Sequence, residues 1–259
     1  MLTLSAVTKN FGGLLVLQDL NLTIPERGIF GLIGPNGAGK TTVFNLITGL
    51  LTPSAGNIVF RGQRLDNLAP YQITQQGVAR TFQNIRIFKE MTLLENVLVA
   101  LGEHPRYGAL HILLPMRGYH QAVQREKESA HALLTRVGLA AKADFMAGTL
   151  SYGEQRRLEI ARALATGPKL LLLDEPAAGM NSAEKQLLME EIVKLGADGP
   201  SILIIEHDMR FVMGLCERIA VLNFGKLIAQ GTPEEIRANH EVVEAYLGSE
   251  DGNESLGKG

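Results

Sequence analysis

Two apolar runs, at 169–174 and 201–206, stand out in the pattern of hydrophobic and polar positions along the chain, each with four consecutive Leu or Ile residues at its centre. Their neighbours carry helical spacing, and strands that are apolar throughout and flanked by helices are typical of the centre of a parallel sheet. A third short run, Ile29–Ile33, predicts another buried strand. The pattern therefore predicts an α/β fold with a central parallel sheet.

Further elements surround these runs. We expect helices over 42–47, 70–76, 92–101, 118–137, 155–166, 183–195 and 208–216, and strands over 2–8, 14–24, 56–60, 218–223 and 226–230. Thr232 and Pro233, followed by two glutamates, give a cap, a first-turn proline and first-turn acids in order, which predicts one more helix start. The polar, glycine-rich stretch 249–259 is expected to be disordered.

A glycine-rich segment follows the run at 29–33 and matches the pattern G-x-x-x-x-G-K-[ST]. Its glycines let backbone N–H groups turn towards an anion, Lys40 can reach the outer phosphates, and the Thr41 hydroxyl can bind Mg²⁺. The helix that follows directs the positive end of its dipole at the same place. The structural alternative is a glycine-rich turn before an ordinary helix. We expect a nucleoside triphosphate site formed by Gly34, Pro35, Asn36, Gly37, Ala38, Gly39, Lys40, Thr41 and Thr42.

Two acids, Asp174 and Glu175, end the apolar run at 169–174. A buried strand that ends in this way places its acids at the carboxyl edge of the sheet, where ligands bind in open α/β folds. Asp174 can then reach Mg²⁺, and Glu175 can orient and polarise an attacking water. The alternative is an acidic strand-to-helix turn without chemistry.

A possible second anion site begins at Ser151. Ser151 and Glu154 have the spacing of a capping box, which would fix the start of the helix at 155–166. The serine hydroxyl, the Gly153 amide and the helix dipole can also bind an anion together. Both interpretations can hold at once.

Composition limits the remaining choices. The 259 residues carry 25 basic and 27 acidic side chains, so no global charge favours nucleic acid or an anionic membrane. A single cysteine, Cys216, excludes an internal disulfide. We expect a cytosolic chain, because the N-terminus lacks a signal-peptide pattern and no stretch reaches the roughly 18 apolar residues of a membrane span. Any membrane role is then expected through a partner.

Together the segments at 34–42, 150–155 and 174–175 resemble the ATP-binding subunit of an ABC transporter, and the resemblance covers residues 1–248. It implies a P-loop NTPase (RecA-like) core with an N-terminal antiparallel β subdomain and a helical subdomain that carries the signature loop at 150–155. It places the core with its β subdomain at 1–84 and 165–248, and the helical subdomain at 85–164.

The resemblance also assigns roles, each with a structural alternative. Phe11 would stack on adenine, unless it is an ordinary turn aromatic. Gln83 would meet Mg²⁺ and the water, unless it is a surface amide, and His207 would bond the γ-phosphate region, unless it is a polar strand end. Ser151, Gly153 and Gln155 would contact the nucleotide of a second subunit.

Cofactors and partners follow from the same resemblance. They are ATP, Mg²⁺, a second ATPase subunit (identical or homologous) and membrane permease subunits, with the chain held peripherally on the cytoplasmic face of a bacterial inner membrane. The apolar and basic segment 85–89 is the candidate permease contact, or else plain core packing. No nucleic acid is expected.

Two positions differ from the family's usual pattern. Tyr152 stands where glycine is usual, and we expect it to leave Ser151 and Gly153 available. Asn181 and Ser182 stand where an Asp-Pro pair is usual, so hydrogen bonding is kept but a charge is lost.

Several individual stretches, including 80–86 and 155–162, resemble the LivG type of subunit that powers bacterial import of branched-chain amino acids. Urea or amide importers and lipopolysaccharide exporters share much of it, and the cargo therefore rests on analogy. A soluble ABC ATPase of translation or DNA repair is a second hypothesis, although such proteins usually duplicate the cassette or insert coiled coils. A kinase would leave 150–155 unexplained.

Overall fold

The computed structural model describes residues 1–102 and 117–247. Within these residues the chain forms ten strands in two sheets, nine α-helices and two short 3₁₀ turns. The strands are β1 (Leu2–Phe11), β2 (Leu14–Ile24), β3 (Ile29–Ile33), β4 (Ala55–Phe60), β5 (Gln63–Arg64), β6 (Val78–Arg80), β7 (Leu170–Asp174), β8 (Ser201–Ile205), β9 (Arg218–Asn223) and β10 (Lys226–Gly231). The helices are α1 (Lys40–Ile47), α2 (Pro70–Gln75), α3 (Leu93–Leu101), α4 (Arg117–Arg136), α5 (Tyr152–Ala165), α6 (Ser182–Asp198), α7 (Met209–Leu215), α8 (Pro233–Ala238) and α9 (His240–Leu247).

The larger sheet contains the predicted parallel sheet and has the strand order β10-β9-β3-β8-β7-β6; the strands from β9 to β6 are parallel, and the edge strand β10 is antiparallel to β9. The two long apolar runs form the neighbouring strands β7 and β8, so this prediction is confirmed. Side chains of β7 alternate between the two faces, with Leu171 and Leu173 on one face and Leu170 and Leu172 on the other, and all four are buried. Burial on both faces is the reason that these runs show no polar alternation.

The smaller sheet is antiparallel, with the order β2-β1-β4-β5. β1 runs to Phe11, three residues beyond the predicted 2–8. Its polar end, Lys9 and Asn10, still pairs with β2 although it lies at least partly in solvent. The sequence did not predict β5 and β6, because strands of two and three residues are too short to show a period.

Every helix predicted from apolar spacing is present, with ends within three residues of the expected ones. Capping boxes fix four of the starts, with Thr92, Ser151, Asn181 and Thr232 as the capping residues. The two-turn helix α9 was not predicted. No helix in the described ranges 1–102 and 117–247 combines the length and the apolar character of a membrane span. The prediction for 249–259 lies outside the described residues.

The large sheet separates two apolar clusters. On one side, α1 lies between the two sheets, with Val43 and Phe44 packed among core residues of both. On the other side, α5, α6 and α7 cover the sheet, and α3 and α4 add Leu93 and Leu134 to the same cluster. The helix after the phosphate loop is thus anchored in the core. The division into subdomains at 84 and 165 stays a prediction.

Candidate nucleotide-binding site

The predicted phosphate loop joins β3 to α1, and close packing fixes two of its glycines. A Cβ on Gly34 would lie 2.1 Å from Leu222 O, and one on Gly39 would lie 2.7 Å from Leu17 Cδ2. Both glycines have positive φ angles, 152° and 104°. Only glycine can meet both demands, because any side chain would collide with these neighbours. The loop is therefore held against β2 and β9.

The side chain of Lys40 turns back over the loop. Its Nζ donates to the carbonyl oxygens of Gly34 at 2.6 Å and Pro35 at 3.0 Å. Ala38 O accepts a hydrogen bond from Gly225 N at 3.1 Å, so the β9–β10 turn supports the loop. α1 starts without a side-chain cap and without an acid in its first turn. A cation and the positive end of a helix therefore converge here, as an anion site requires.

The acid pair lies at the carboxyl end of β7, as predicted. Glu175 N donates to Ile205 O at 2.9 Å, which ties the pair to the end of β8. The Glu175 carboxylate accepts a hydrogen bond from Gln83 Nε2 at 2.9 Å. The structure thus brings two of the predicted catalytic side chains, Gln83 and Glu175, into contact. A carboxylate held beside an amide can orient and polarise a water molecule.

Arg80 is a charged residue of the site whose role the sequence did not reveal. Its Nη2 bonds Asp174 Oδ2 at 2.6 Å, and its Nη1 bonds Asn45 Oδ1 at 2.7 Å. Both charged side chains of this ion pair are more than nine-tenths buried. The guanidinium also lies over the rings of Phe44 and Phe82. Arg80 is therefore the counter-ion of Asp174 and links β6, β7 and α1. The signal available in the sequence was that Arg80 directly follows the two apolar residues of β6.

His207 follows β8 and has a solvent-exposed side chain. Beside it, Glu206 is buried and accepts hydrogen bonds from Ala177 N at 2.8 Å and His207 N at 3.2 Å. Burial raises the pKa of Glu206, although these N–H groups and the nearby imidazole act in the opposite direction. Glu206 therefore connects the chain just after Glu175 to the chain at His207, a role that the sequence did not indicate.

The capping box at the start of α5 is confirmed. Ser151 Oγ accepts a hydrogen bond from Glu154 N at 3.4 Å, and Ser151 N donates to Glu154 Oε2 at 3.1 Å. Gly153 is buried, and a Cβ there would lie 3.0 Å from Glu184 Oε1. The Gln155 side chain donates to the loop backbone. Ser151 itself is exposed. Anion binding by this loop stays a prediction.

Three charged residues on one stripe of α5 hold the segment 82–86, which contains Gln83. Arg156 donates to two carbonyl groups of this segment, one of them at 2.5 Å. Glu159 accepts two of its N–H groups at 3.3 and 3.4 Å, and Arg162 donates to another carbonyl. Burial raises the pKa of Glu159, partly offset by Arg156. The three charged residues follow one another at intervals of three, which indicates a common helix face but not that this face binds the segment 82–86.

Two other predicted positions have clear surroundings. Phe11 ends β1 with a half-exposed ring, and the Lys9 ammonium lies 4.9 Å from the ring centre. Asn181 keeps hydrogen bonding, as expected, and uses it to cap α6 through two N–H groups at 3.0 Å. Adenine stacking by Phe11 stays a prediction.

Comparison with known proteins agrees with this geometry. The ABC transporter family matches residues 17–178, and a family described as branched-chain amino acid ATP-binding cassette transporter matches residues 226–252. The chain is 47% identical over 249 residues to the high-affinity branched-chain amino acid transport ATP-binding protein LivG of Salmonella typhimurium, covering 96% of this chain and 98% of LivG. It is 35% identical to the lipopolysaccharide export system ATP-binding protein LptB of Haemophilus influenzae, covering 96% and 98%.

Solved structures show the same fold. The ADP conformation of MJ1267, an ATP-binding cassette of an ABC transporter, has a TM-score of 0.82 and 32% identity, covering 96% of this chain and 99% of that one. The dimeric post-hydrolysis state of the cassette MJ0796, bound to ADP and Pi, has a TM-score of 0.74 and 28% identity, covering 90% and 99%. The chain therefore belongs to the ABC transporter family, as an ATP-hydrolysing cassette of the group that includes LivG.

Proposed function

We propose that this chain powers the uptake of branched-chain amino acids as the ATPase subunit of a membrane importer. The observation that carries the proposal is the similarity to LivG, which extends over 96% of the chain rather than over the shared cassette alone. The second family match covers β10, α8 and α9. Tyr246 of α9 is buried, and burial raises the pKa of its hydroxyl to about 12, while the backbone of Gly34 acts in the opposite direction. The segment typical of the group thus lies close to the phosphate loop.

We assign ATP as the nucleotide, and Thr41, Gln83 and Asp174 as the residues that would hold Mg²⁺. The Thr41 hydroxyl, the Gln83 amide oxygen and the Asp174 carboxylate are ligands of the kind that Mg²⁺ prefers. No cluster of three or more His, Cys, Asp or Glu side chains in the described part of the chain could hold a metal alone. When bound, Mg²⁺ would neutralise phosphate charge.

Hydrolysis is assigned to the side chains beside the phosphate loop. Glu175 acts as the base that orients and polarises the attacking water, and the Gln83 amide, 2.9 Å from its carboxylate, helps to fix that water. His207 bonds the γ-phosphate region from the end of β8. Lys40 and the loop N–H groups hold the phosphates.

Two cassettes are needed for one complete site. Ser151, Gly153 and Gln155 of a second cassette face the nucleotide held by Lys40 of the first. The exposed serine at the start of α5 supports this role, because its hydroxyl is accessible to a partner. ATP then favours the closed pair through its differential affinity, and loss of the γ-phosphate reopens the pair. This closure drives the permease subunits in the membrane. The chain is held on the cytoplasmic face of that membrane.

Glu175→Gln tests the catalytic assignment. We expect the variant to bind ATP and to stay paired in its presence, while turnover falls by about 100-fold or more, as loss of a positioned general base does. Turnover is measured by phosphate release and ATP affinity by equilibrium binding. Glu190→Gln, an exposed change on α6, is the matched control with parental turnover. Parental hydrolysis in Glu175→Gln would remove Glu175 from the mechanism.

The cargo is tested in liposomes that contain this chain, its permease subunits and their substrate-binding protein. We expect ATP hydrolysis to rise when the binding protein carries leucine, isoleucine or valine, and not when the liposomes contain Glu175→Gln. A rise with urea or a short amide only would assign a related importer and contradict the proposed cargo. A chain that stays in the soluble fraction and binds no permease would contradict transport altogether.

A further inference from the structure

Tyr152 lies where three functional segments meet. It is the first residue of α5, between Ser151 and Gly153, and 43% of it is exposed. Its hydroxyl oxygen accepts a hydrogen bond from Arg156 Nη2 at 3.0 Å, one turn further along the helix. The guanidinium also lies 5.5 Å from the centre of the tyrosine ring. The glycine that is usual at this position offers neither contact.

Arg156 carries the contact onwards to Gln83. The arginine is almost fully buried, and the same Nη2 that bonds Tyr152 also donates to the carbonyl oxygen of Gln83. Its Nη1 bonds Phe82 O at 2.5 Å and Glu159 Oε2 at 3.2 Å. A planar guanidinium with several fixed acceptors has little freedom, so the tyrosine hydroxyl helps to set its orientation.

The Gln83 side chain completes the connection. Its Nε2 donates to Glu175 Oε2 at 2.9 Å. An unbroken series of polar contacts therefore runs from Tyr152 through Arg156 and Gln83 to the carboxylate assigned as the base. Hydrogen bonds make the steps between residues, and the covalent link between the backbone and the side chain of Gln83 joins the last two.

The aromatic ring makes a second connection, to the loop between β7 and α6. A Cβ on Gly179 would lie 3.3 Å from Tyr152 Cε1, so the ring sits directly against this glycine. Gly179 lies between the assigned base, Glu175, and Asn181, which caps α6. Movement of that loop would therefore press on the tyrosine ring.

We infer that Tyr152 is a positioning residue for ATP hydrolysis, which connects the loop at Gly179 to Gln83 through the guanidinium of Arg156. The inference rests on the proposed roles of Gln83 and Glu175. It gives a task to a side chain that departs from the family pattern.

Tyr152→Phe tests the hydroxyl, because it keeps the ring and removes only the acceptor. We expect kcat to fall about threefold to tenfold, less than a fully buried charge-assisted bond would give, because water reaches this half-exposed site. ATP affinity and the free energy of unfolding stay near parental values. Tyr71→Phe removes a hydroxyl from an exposed tyrosine of α2 and is the matched control, with unchanged kcat. Tyr152→Gly loses both contacts, so its kcat should fall at least as far as that of Tyr152→Phe.

A double variant separates positioning from general loosening of the fold. If Tyr152 acts through Gln83, then Tyr152→Phe costs nothing further in a Gln83→Ala background. An equal fold-loss of kcat in both backgrounds would overturn the inference, as would parental kcat in Tyr152→Phe or Tyr152→Gly. Failure of the proposed mechanism is visible separately, as parental turnover in Glu175→Gln.

Discussion

At the scale of single residues, the site depends on buried charges that neutralise one another. Asp174 and Arg80 are both almost fully buried and joined at 2.6 Å. An intact buried ion pair contributes little net free energy to folding, but removal of one partner leaves a buried charge without compensation. Arg80 therefore has a measurable structural role beside the chemistry.

Arg80→Met should lower the free energy of unfolding by about 3–5 kcal/mol, the usual cost of breaking a buried pair. The measurement is urea unfolding. Arg61→Met, which breaks an exposed pair with Glu26, should cost less than about 1 kcal/mol. Adding Asp174→Asn to Arg80→Met should restore part of the loss. Equal costs for the Arg80 and Arg61 variants would show that Asp174 does not need its counter-ion.

The shifted pKa of Glu206 predicts that the free energy of unfolding depends on pH. Burial raises its pKa above the ordinary 4.5. A raised folded-state pKa means that the protonated carboxyl favours folding, so its contribution is complete below the unfolded pKa and is lost as pH rises through the folded pKa. The stability of the parent relative to Glu206→Gln should thus fall as pH rises above the ordinary pKa of 4.5. A difference that stays constant or grows as pH rises, measured by urea unfolding, would contradict the shift.

At the scale of elements, the segment 85–89 between β6 and α3 is the candidate contact with the permease. Phe88 is 45% exposed and lies 4.6 Å from the Arg162 guanidinium, whereas Ile87 packs against the core. Core packing thus accounts for Ile87 but leaves the Phe88 ring accessible. The expected contact is therefore centred on Phe88.

Phe88→Asp should give a folded ATPase that no longer co-purifies with permease subunits, because a charge replaces the accessible ring. Thermal unfolding and basal turnover establish folding, and affinity purification from membranes establishes docking. Val193→Asp changes another half-exposed apolar residue, on α6, and should leave co-purification intact. Undiminished co-purification of a folded Phe88→Asp would exclude this residue from the contact, and an unfolded variant would favour the core interpretation.

Apolar period and glycine spacing predicted the elements well, and these signals are local. The helices α1 to α7 and the buried strands β3, β7 and β8 follow from them, as does the loop at 34–41. The partners of Arg80, Glu206 and Arg156 could not be predicted in this way. Each is a buried charge whose partner lies on another element, so only the packed fold reveals it.

At the scale of the whole molecule, the two predicted halves of the nucleotide site belong to different helices. Lys40 bonds within its own loop, and Ser151 bonds within its own helix. One chain therefore presents its phosphate loop at the start of α1 and its serine-headed helix start at α5. A head-to-tail pair would join each loop to the helix of the partner, consistent with the dimeric cassette MJ0796.

The second cassette is another copy of this chain or a related subunit. The most direct test of the pairing measures ATP turnover per chain as a function of chain concentration, in the parent and in Ser151→Ala. Thr232→Ala removes an equivalent helix cap and is the matched control. We expect turnover per chain to rise as pairs form, to be largely lost in Ser151→Ala and to be kept in Thr232→Ala. A strictly monomeric chain that hydrolyses ATP at full rate, with Ser151→Ala as active as the parent, would contradict a site shared between two cassettes.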